Sequence, residues 1–248
     1  NGNGNTHSFG YGTAIVQLQN QPVSESELYQ LIKESAERNG IEVHAFHTGL
    51  MDDLDFGTPN NKLIQLPKVA MLVGRGMGIS DSGEIWHMLD RRFGIPPALI
   101  EFNTLHSRDL SNYNVIILAN GSPADQLSPS ALPKLKEWVE KGGTLIATGR
   151  AYQLTNKAKI TDFKALSNEK KDEPKNNLEV EYKPYHSTEK ASAGIDGVIF
   201  NCMLDITSPL GYGYTNPNVA IMKNGTMVMD FTQIKGSSPM QYAKQPYL

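Results

Sequence analysis

Residues 68–96 read KVAMLVGRGMGISDSGEIWHMLDRRFGIP, and this stretch decides the fold. A short apolar run after Lys68 reads as a strand and enters the glycine-rich turn Gly74-Arg75-Gly76-Met77-Gly78. Asp81-x-x-Glu84 then gives a helix start signal, with Ile85, Trp86, Leu89 and Phe93 on one face and a stop at Gly94. The unit is strand, loop, helix.

Working toward the C-terminus, the same grammar repeats. Ala98 to Phe102 reads as a strand, and Asn114 to Ala119 (NVIILA) is a continuous apolar run suited to a strand buried on both faces. Ser128-Pro129 marks a helix start, Leu132, Leu135, Trp138 and Val139 carry its apolar stripe, Gly142-Gly143 stops it, and Thr144 to Thr148 is the next strand. Working toward the N-terminus, Ser24-x-x-Glu27 caps a helix that ends at Asn39-Gly40, flanked by strands at Gly12 to Leu18 and Ile41 to Phe46. Strands alternating with helices imply parallel pairing through right-handed crossovers, hence an α/β fold with a doubly wound, mostly parallel sheet in flavodoxin-like or Rossmann-like layers. The pattern fails at 157–190, where 15 of 34 residues are charged, so that stretch is expected to be an exposed polar excursion. Gly197 to Leu204 restores a strand, and Lys223-Asn224-Gly225-Thr226 between Val219 to Met222 and Met227 to Asp230 predicts an added C-terminal β-hairpin. Residues 1–248 are read as a single α/β domain.

With 248 residues, 39% hydrophobic and 20% charged, the chain can hold a core without cross-links or metals. A formal charge of −3, from 23 basic and 26 acidic residues, lacks the basic footprint of a nucleic-acid binder. The single Cys202 excludes an internal disulfide and a thiolate zinc site. No apolar run reaches the roughly 20 residues of a membrane span, and the opening Asn1-Gly2-Asn3-Gly4-Asn5 is no signal peptide, so an export signal is expected outside this chain.

The candidate chemistry is sparse. The loop at Gly74 to Gly78 could hold an anion on backbone N–H groups, but Ile79 stands where a dinucleotide fingerprint needs glycine, and no P-loop Gly-Lys-Ser/Thr exists. The plainer reading is a turn that needs positive φ. Gly78-Ile79-Ser80-Asp81-Ser82-Gly83 is one residue too long for a nucleophile elbow, leaving Ser80 or Asp81 as helix caps, and Gly149-Arg150-Ala151 offers no thiol or hydroxyl at the corresponding turn. Cys202 lies in an apolar strand, where a buried inert thiol is the default. His44 and His47 face opposite sides of any strand, and His87 with Asp90 lacks further ligands, so neither a metal site nor a cofactor is expected. Leu204 to Tyr214 (LDITSPLGYGY) reads either as an Asp-capped turn with tyrosines at its rim or as the wall of a ligand site.

The stretch 68–96, together with DLSNYNVIILANGS, LKEWVEKGGTLIATG and LDITSPLGYGY, resembles the C-terminal domain that follows the catalytic domain in secreted zinc carboxypeptidase-like proteins of Bacteroides-type bacteria, within the carboxypeptidase A superfamily. The resemblance covers roughly residues 10–231, with Asp205, Thr207, Pro209, Gly211 and Tyr214 supplying the last motif, and implies a class I glutamine amidotransferase-like fold. It also implies a periplasmic or extracellular location and a longer parent protein. Two departures limit it: the chain's one His-x-x-Glu, His186-Ser187-Thr188-Glu189, falls in the charged 157–190 stretch outside the strand–helix pattern, and its elbow lacks the amidotransferase cysteine.

The expectation is therefore a non-catalytic accessory or ligand-binding domain. Its expected partners are the peptidase catalytic domain of the parent protein and a small anionic, peptide or glycan ligand, with no nucleic acid and no membrane span. Ligands of open α/β sheets bind beyond the carboxyl ends of the strands. The candidate residues there are Arg75, Gly76 and Ser80, then Asn120 and Ser122, then Arg150, with Asp205 and Tyr214 closing the rim. The alternatives are an amidotransferase-like or hydrolase enzyme with a displaced nucleophile, Cys202 or Ser80 with His87, and a nucleotide-binding module at Gly74 to Gly78.

Overall fold

A computed structural model describes residues 8–46, 56–59, 61–121, 129–166, 196–224, 227–229, 234 and 236–247. In chain order the regular elements are α1 (Glu25–Asn39), β1 (Val69–Val73), α2 (Ile79–His87), β2 (Ala98–Glu101), β3 (Val115–Leu118), α3 (Ala131–Glu140), β4 (Thr144–Ala147), α4 (Tyr152–Lys157), β5 (Ala165–Leu166), β6 (Asp196–Leu204), β7 (Asn218–Asn224), β8 (Val228–Met229) and β9 (Met240–Tyr247). They fall into two compact units, one of Gln65–Val198 and Lys223–Ser237, the other of Asn1–Ile64, Ile199–Met222 and Ser238–Leu248.

The first of these holds an α/β fold on a four-stranded, all-parallel sheet in the order β2-β1-β3-β4. The chain steps from β1 outward to β2, then returns past β1 to β3 and β4, so the strand order reverses between β1 and β3. Successive side chains of a strand face opposite sides, and two clusters result. Ala70, Leu72, Ile116 and Leu118 pack with Ala131, Leu135 and Trp138 of α3 and Leu154 of α4. Val69, Met71 and Ile117 pack with Leu89 and Ile95, and Ile85 of α2 reaches both clusters. This two-sided cover is why β1 and β3 read as unbroken apolar runs. Trp138 anchors the α3 side, its indole N–H donating to Leu110 O at 3.1 Å and Tyr113 O at 3.2 Å.

Several boundaries shift from the sequence expectation. Helix α2 begins at Ile79 with Gly78 as its N-cap, so neither Ser80 nor Asp81 is the cap. The glycine turn itself supplies the extended cap geometry, φ −66° and ψ 116°, and the helix starts early. The expected common face of Ile85, Trp86, Leu89 and Phe93 also divides: Ile85 and Leu89 pack inward, while Trp86 and Phe93 are exposed. A π-turn at Met88–Arg92 widens the helix beyond His87 and breaks the 3.6-residue phase there. Helix α3 starts after Ser130 at Ala131, the first of its residues buried on the sheet, with Pro129 in a turn before it; Ser128 lies outside the described residues. Of the 157–190 excursion, residues 157–166 are ordered by Asn156, whose side chain bonds Thr161 and Phe163, and by β5 pairing antiparallel with β8. Residues 167–190 lie outside the described residues.

In the second unit, α1 forms as its capping box predicts: Glu27 N–H donates to Ser24 Oγ at 3.4 Å, and Ser24 N–H donates to the Glu27 carboxylate at 2.9 Å. Gly40 closes the helix in the left-handed region. The three-stranded sheet β7-β6-β9 pairs β6 antiparallel to β9 and buries Phe200 and Cys202. Two expected strands are absent: Gly12 to Leu18 and Ile41 to Phe46 are extended or turned chain outside any sheet. Strand-like composition does not supply a neighbouring strand to bond to. The expected hairpin is likewise replaced, since among the described residues β7 joins β6 and β8 joins β5 in separate sheets. Gly225, Thr226 and Asp230 of that expectation lie outside the described residues, and burial of Phe200 and Cys202 recruits neighbours to β6.

Among the described residues no helix is long and apolar enough to cross a membrane.

Candidate functional site

The carboxyl ends of β1, β3 and β4 release three turns, and hydrogen bonds draw them together. Met77 and Gly121 form an antiparallel bridge between the turns after β1 and β3, and Gly78 N–H donates to Asn120 O at 2.6 Å. Gly121 must be glycine here, because a Cβ would lie 2.5 Å from Gly76 O and 2.8 Å from Met77 Cα. From the third turn, Arg150 N–H donates to Asn120 Oδ1 at 3.0 Å. Asn120 is thus the knot of the cluster: its backbone carbonyl holds one turn and its side chain the other.

The glycines of the first turn behave as the plain reading required, with Gly74 at φ +111° and Gly76 at φ +93°. Three backbone donors are spent within the cluster: Met77 N–H goes to Gly74 O at 3.1 Å, Gly78 N–H to Asn120 O and Arg150 N–H to Asn120 Oδ1.

The side chains at the edge are of mixed charge. Arg75, Arg150 and Ser80 are exposed. Among the described residues the ion pairs are His44–Glu42, Lys136–Glu140 and Lys141–Glu137, so neither guanidinium is paired. Two carboxylates that the sequence reading left out lie against the same turn: Glu101 beside Gly74 and Asp81 beside Gly78. They oppose the two arginines for any anionic guest. Ser82, one turn into α2, has a buried hydroxyl without a partner. Asn120-Gly121 directly after an apolar strand was the one sequence signal for the knot; nothing in the linear pattern marks Glu101.

The expected site residues therefore divide. Arg75, Gly76, Asn120 and Arg150 belong to the bonded turns, and Ser80 stands in the first turn of α2 beside them. Ser122 lies outside the described residues. Asp205 and Tyr214 belong to the other compact unit, in the turn after β6. There Asp205 Oδ1 accepts from Thr207 Oγ1 at 2.6 Å and from Thr207 N–H at 3.0 Å, the Asp-capped turn that composition suggested. The Thr207 hydroxyl, and then its amide, hold the Asp205 carboxyl below the usual carboxylate range.

No family model, curated protein or solved structure matches the chain.

The nucleophile candidates meet geometry unsuited to activation. Cys202 is buried on β6, and burial pushes its thiol pKa up, away from thiolate. Ser80 and His87 are both exposed on α2, seven residues apart, which at 1.5 Å per residue is about 10 Å along the axis and beyond hydrogen-bond reach. Among the described residues no group of three His, Cys, Asp or Glu side chains could hold a metal ion.

Proposed function

We propose that this chain is a non-catalytic, ligand-binding α/β domain, doubly wound like the class I glutamine amidotransferases it resembles, that accompanies the catalytic domain of a secreted zinc carboxypeptidase-like protein. The observation that carries this reading is the turn cluster knotted by Asn120, which among the described residues presents two unpaired guanidinium groups and no hydroxyl or thiol hydrogen-bonded to a base. Such an edge binds without turnover. Its ligand carries a carboxylate small enough for Arg75 or Arg150 to grip, and a hydrogen-bond donor for Asp81 or Glu101, which describes a peptide end or amino acid better than inorganic phosphate. The raised pKa of the buried Cys202 thiol supports the same reading against a displaced-nucleophile enzyme. On this reading the domain works in the periplasm or outside the cell, docked to its own parent's peptidase domain.

Thermal shift with N-acetyl dipeptides, free amino acids and inorganic phosphate tests it. A probe at 100 times its dissociation constant stabilises the fold by about 2.7 kcal/mol. Arg75→Ala/Arg150→Ala should remove that shift and leave the ligand-free Tm nearly unchanged. Amidase or peptidase turnover that survives chelation and disappears in Cys202→Ala would overturn the reading. So would a full-length reading frame without an upstream His-x-x-Glu domain.

A further inference from the structure

The tripeptide Gly-Tyr-Gly occurs twice, at 10–12 and 211–213, and the fold brings the two copies together. The Tyr11 and Tyr212 rings lie offset and nearly parallel, planes 11° apart and centroids 6.2 Å apart. Each tyrosine is followed by a left-handed glycine, Gly12 at φ +85° and Gly213 at φ +92°. Gly12 is pressed so closely on the partner turn that a Cβ there would lie 2.8 Å from Tyr212 Cβ. Both turns are closed internally: Thr13 bonds back to Gly10 O through its hydroxyl at 2.8 Å, and Gly211 N–H donates to Ser208 O at 2.8 Å beyond the Asp205–Thr207 cap. The rings thus stand on turns closed by local hydrogen bonds and stay open to solvent, Tyr11 at 71% and Tyr212 at 42%, with Tyr214 at 54% in the same turn.

The surroundings say what such a surface can hold. Charged residues make up 20% of the chain, yet neither 8–24 nor 206–222 contains an Asp, Glu, Lys, Arg or His. An anionic polymer or an acidic lipid surface requires basic residues that are missing here. Flat aromatic faces beside phenol, amide and hydroxyl groups match a ligand with apolar C–H faces and a rim of neutral hydroxyls. A tyrosine binds at little entropic cost because only two torsions need be fixed, and Tyr11 and Tyr212 are already stacked on each other. We propose that the paired Gly-Tyr-Gly turns form a stacking platform for a neutral glycan. This inference does not rest on the arginine-bearing turn cluster.

Native affinity electrophoresis of the whole chain tests it, through gels containing galactomannan, xyloglucan, mixed-linkage β-glucan, α-mannan or amylopectin, with polygalacturonate and heparin as anionic counterparts. At least one neutral polysaccharide should retard the protein. Loss of one stacked ring in Tyr11→Ala should weaken that retardation about tenfold, while Tyr11→Phe keeps it within about threefold. Arg75→Ala/Arg150→Ala should leave it unchanged, which separates failure here from failure of the turn-cluster reading. Should Tyr11→Ala not fold, as judged by circular dichroism, Tyr214→Ala on the neighbouring exposed ring reports instead, with the same loss expected. The proposal is overturned if no neutral polysaccharide retards the protein, if only the anionic ones do, or if retardation survives in the folded alanine variant.

Discussion

Ile116, Ile117 and Leu118 in β3 are 0–6% exposed, whereas Ile15 and Val16, in a run of similar aliphatic and β-branched composition, stand at 41% and 50% and join no sheet. The difference lies in neighbours. β3 has β1 on one side and β4 on the other, and both its faces are packed. The 13–17 run gains neither ladder bonds nor cover. Intrinsic strand preference spans only about 1 kcal/mol, too little to order a lone segment against a backbone entropy of roughly 1–2 kcal/mol per residue. Tertiary pairing therefore decides which apolar run becomes a strand.

The largest losses are expected at the two tryptophans. Trp138→Ala should destabilise the protein by about 3–5 kcal/mol, since it removes a buried ring and leaves two carbonyls without their indole donor. Trp86→Ala, with 40% of its surface already exposed, should lose less, about 2 kcal/mol. Urea denaturation measures both, and equal losses would mean that α2 presents a different face to the sheet. The same contrast on strands pairs Ile117→Ala, at about 2–5 kcal/mol, with Ile15→Ala, at about 0.5 kcal/mol or less. Hydrogen exchange sharpens it: amides of 115–118 should be protected and those of 13–17 exchange quickly, and protection of both would break the comparison.

A smaller effect is expected at the knot. Asn120→Ala strips the Arg150 amide of its acceptor and should destabilise by about 1–2 kcal/mol, while Asn120→Asp, which keeps an acceptor oxygen, should do less harm. Equal losses in the two variants would show that the side-chain bond does not tie the turns. The smallest concerns Asp205, whose carboxyl titrates below its ordinary value in the folded chain. A depressed folded pKa gives stability that is present above the unfolded value, about 3.9, and is lost as pH falls through the folded one. The Tm difference between the wild type and Asp205→Ala should therefore be greatest near neutrality and narrow as the pH falls below the unfolded value of about 3.9. A difference that grows on acidification would reverse the assignment.

Much of the parallel sheet was legible in the linear pattern because its signals are local. Val69 to Val73 and Val115 to Leu118 are apolar runs bounded by turn residues, and Ser24 with Glu27 spells a capping box that forms as written. What stayed hidden depends on distant partners. Nothing near Ile41 or Gly12 says that no strand will lie alongside, and nothing near Phe93 announces the π-turn that shifts the helix face before it. At the candidate site, Arg75 and Arg150 stand out by residue type, whereas Glu101 and Asp81 enter only because the fold lays them against glycines of the first turn. The tyrosine pair escaped for the same reason, its two copies being some two hundred residues apart in the chain.

The bridge between Met77 and Gly121 bears on how this edge would admit the proposed ligand. In many α/β proteins the turns at the reversal of strand order move separately and fold over what they bind. Here Gly78, the residue from which α2 starts, is already held by the carbonyl of Asn120, so lifting one turn would break both that bond and the bridge. The two turns are coupled. If the edge binds the ligand proposed above, selection falls to the shape that exists before binding, with association governed by fit more than by closure and the arginine side chains left to adapt.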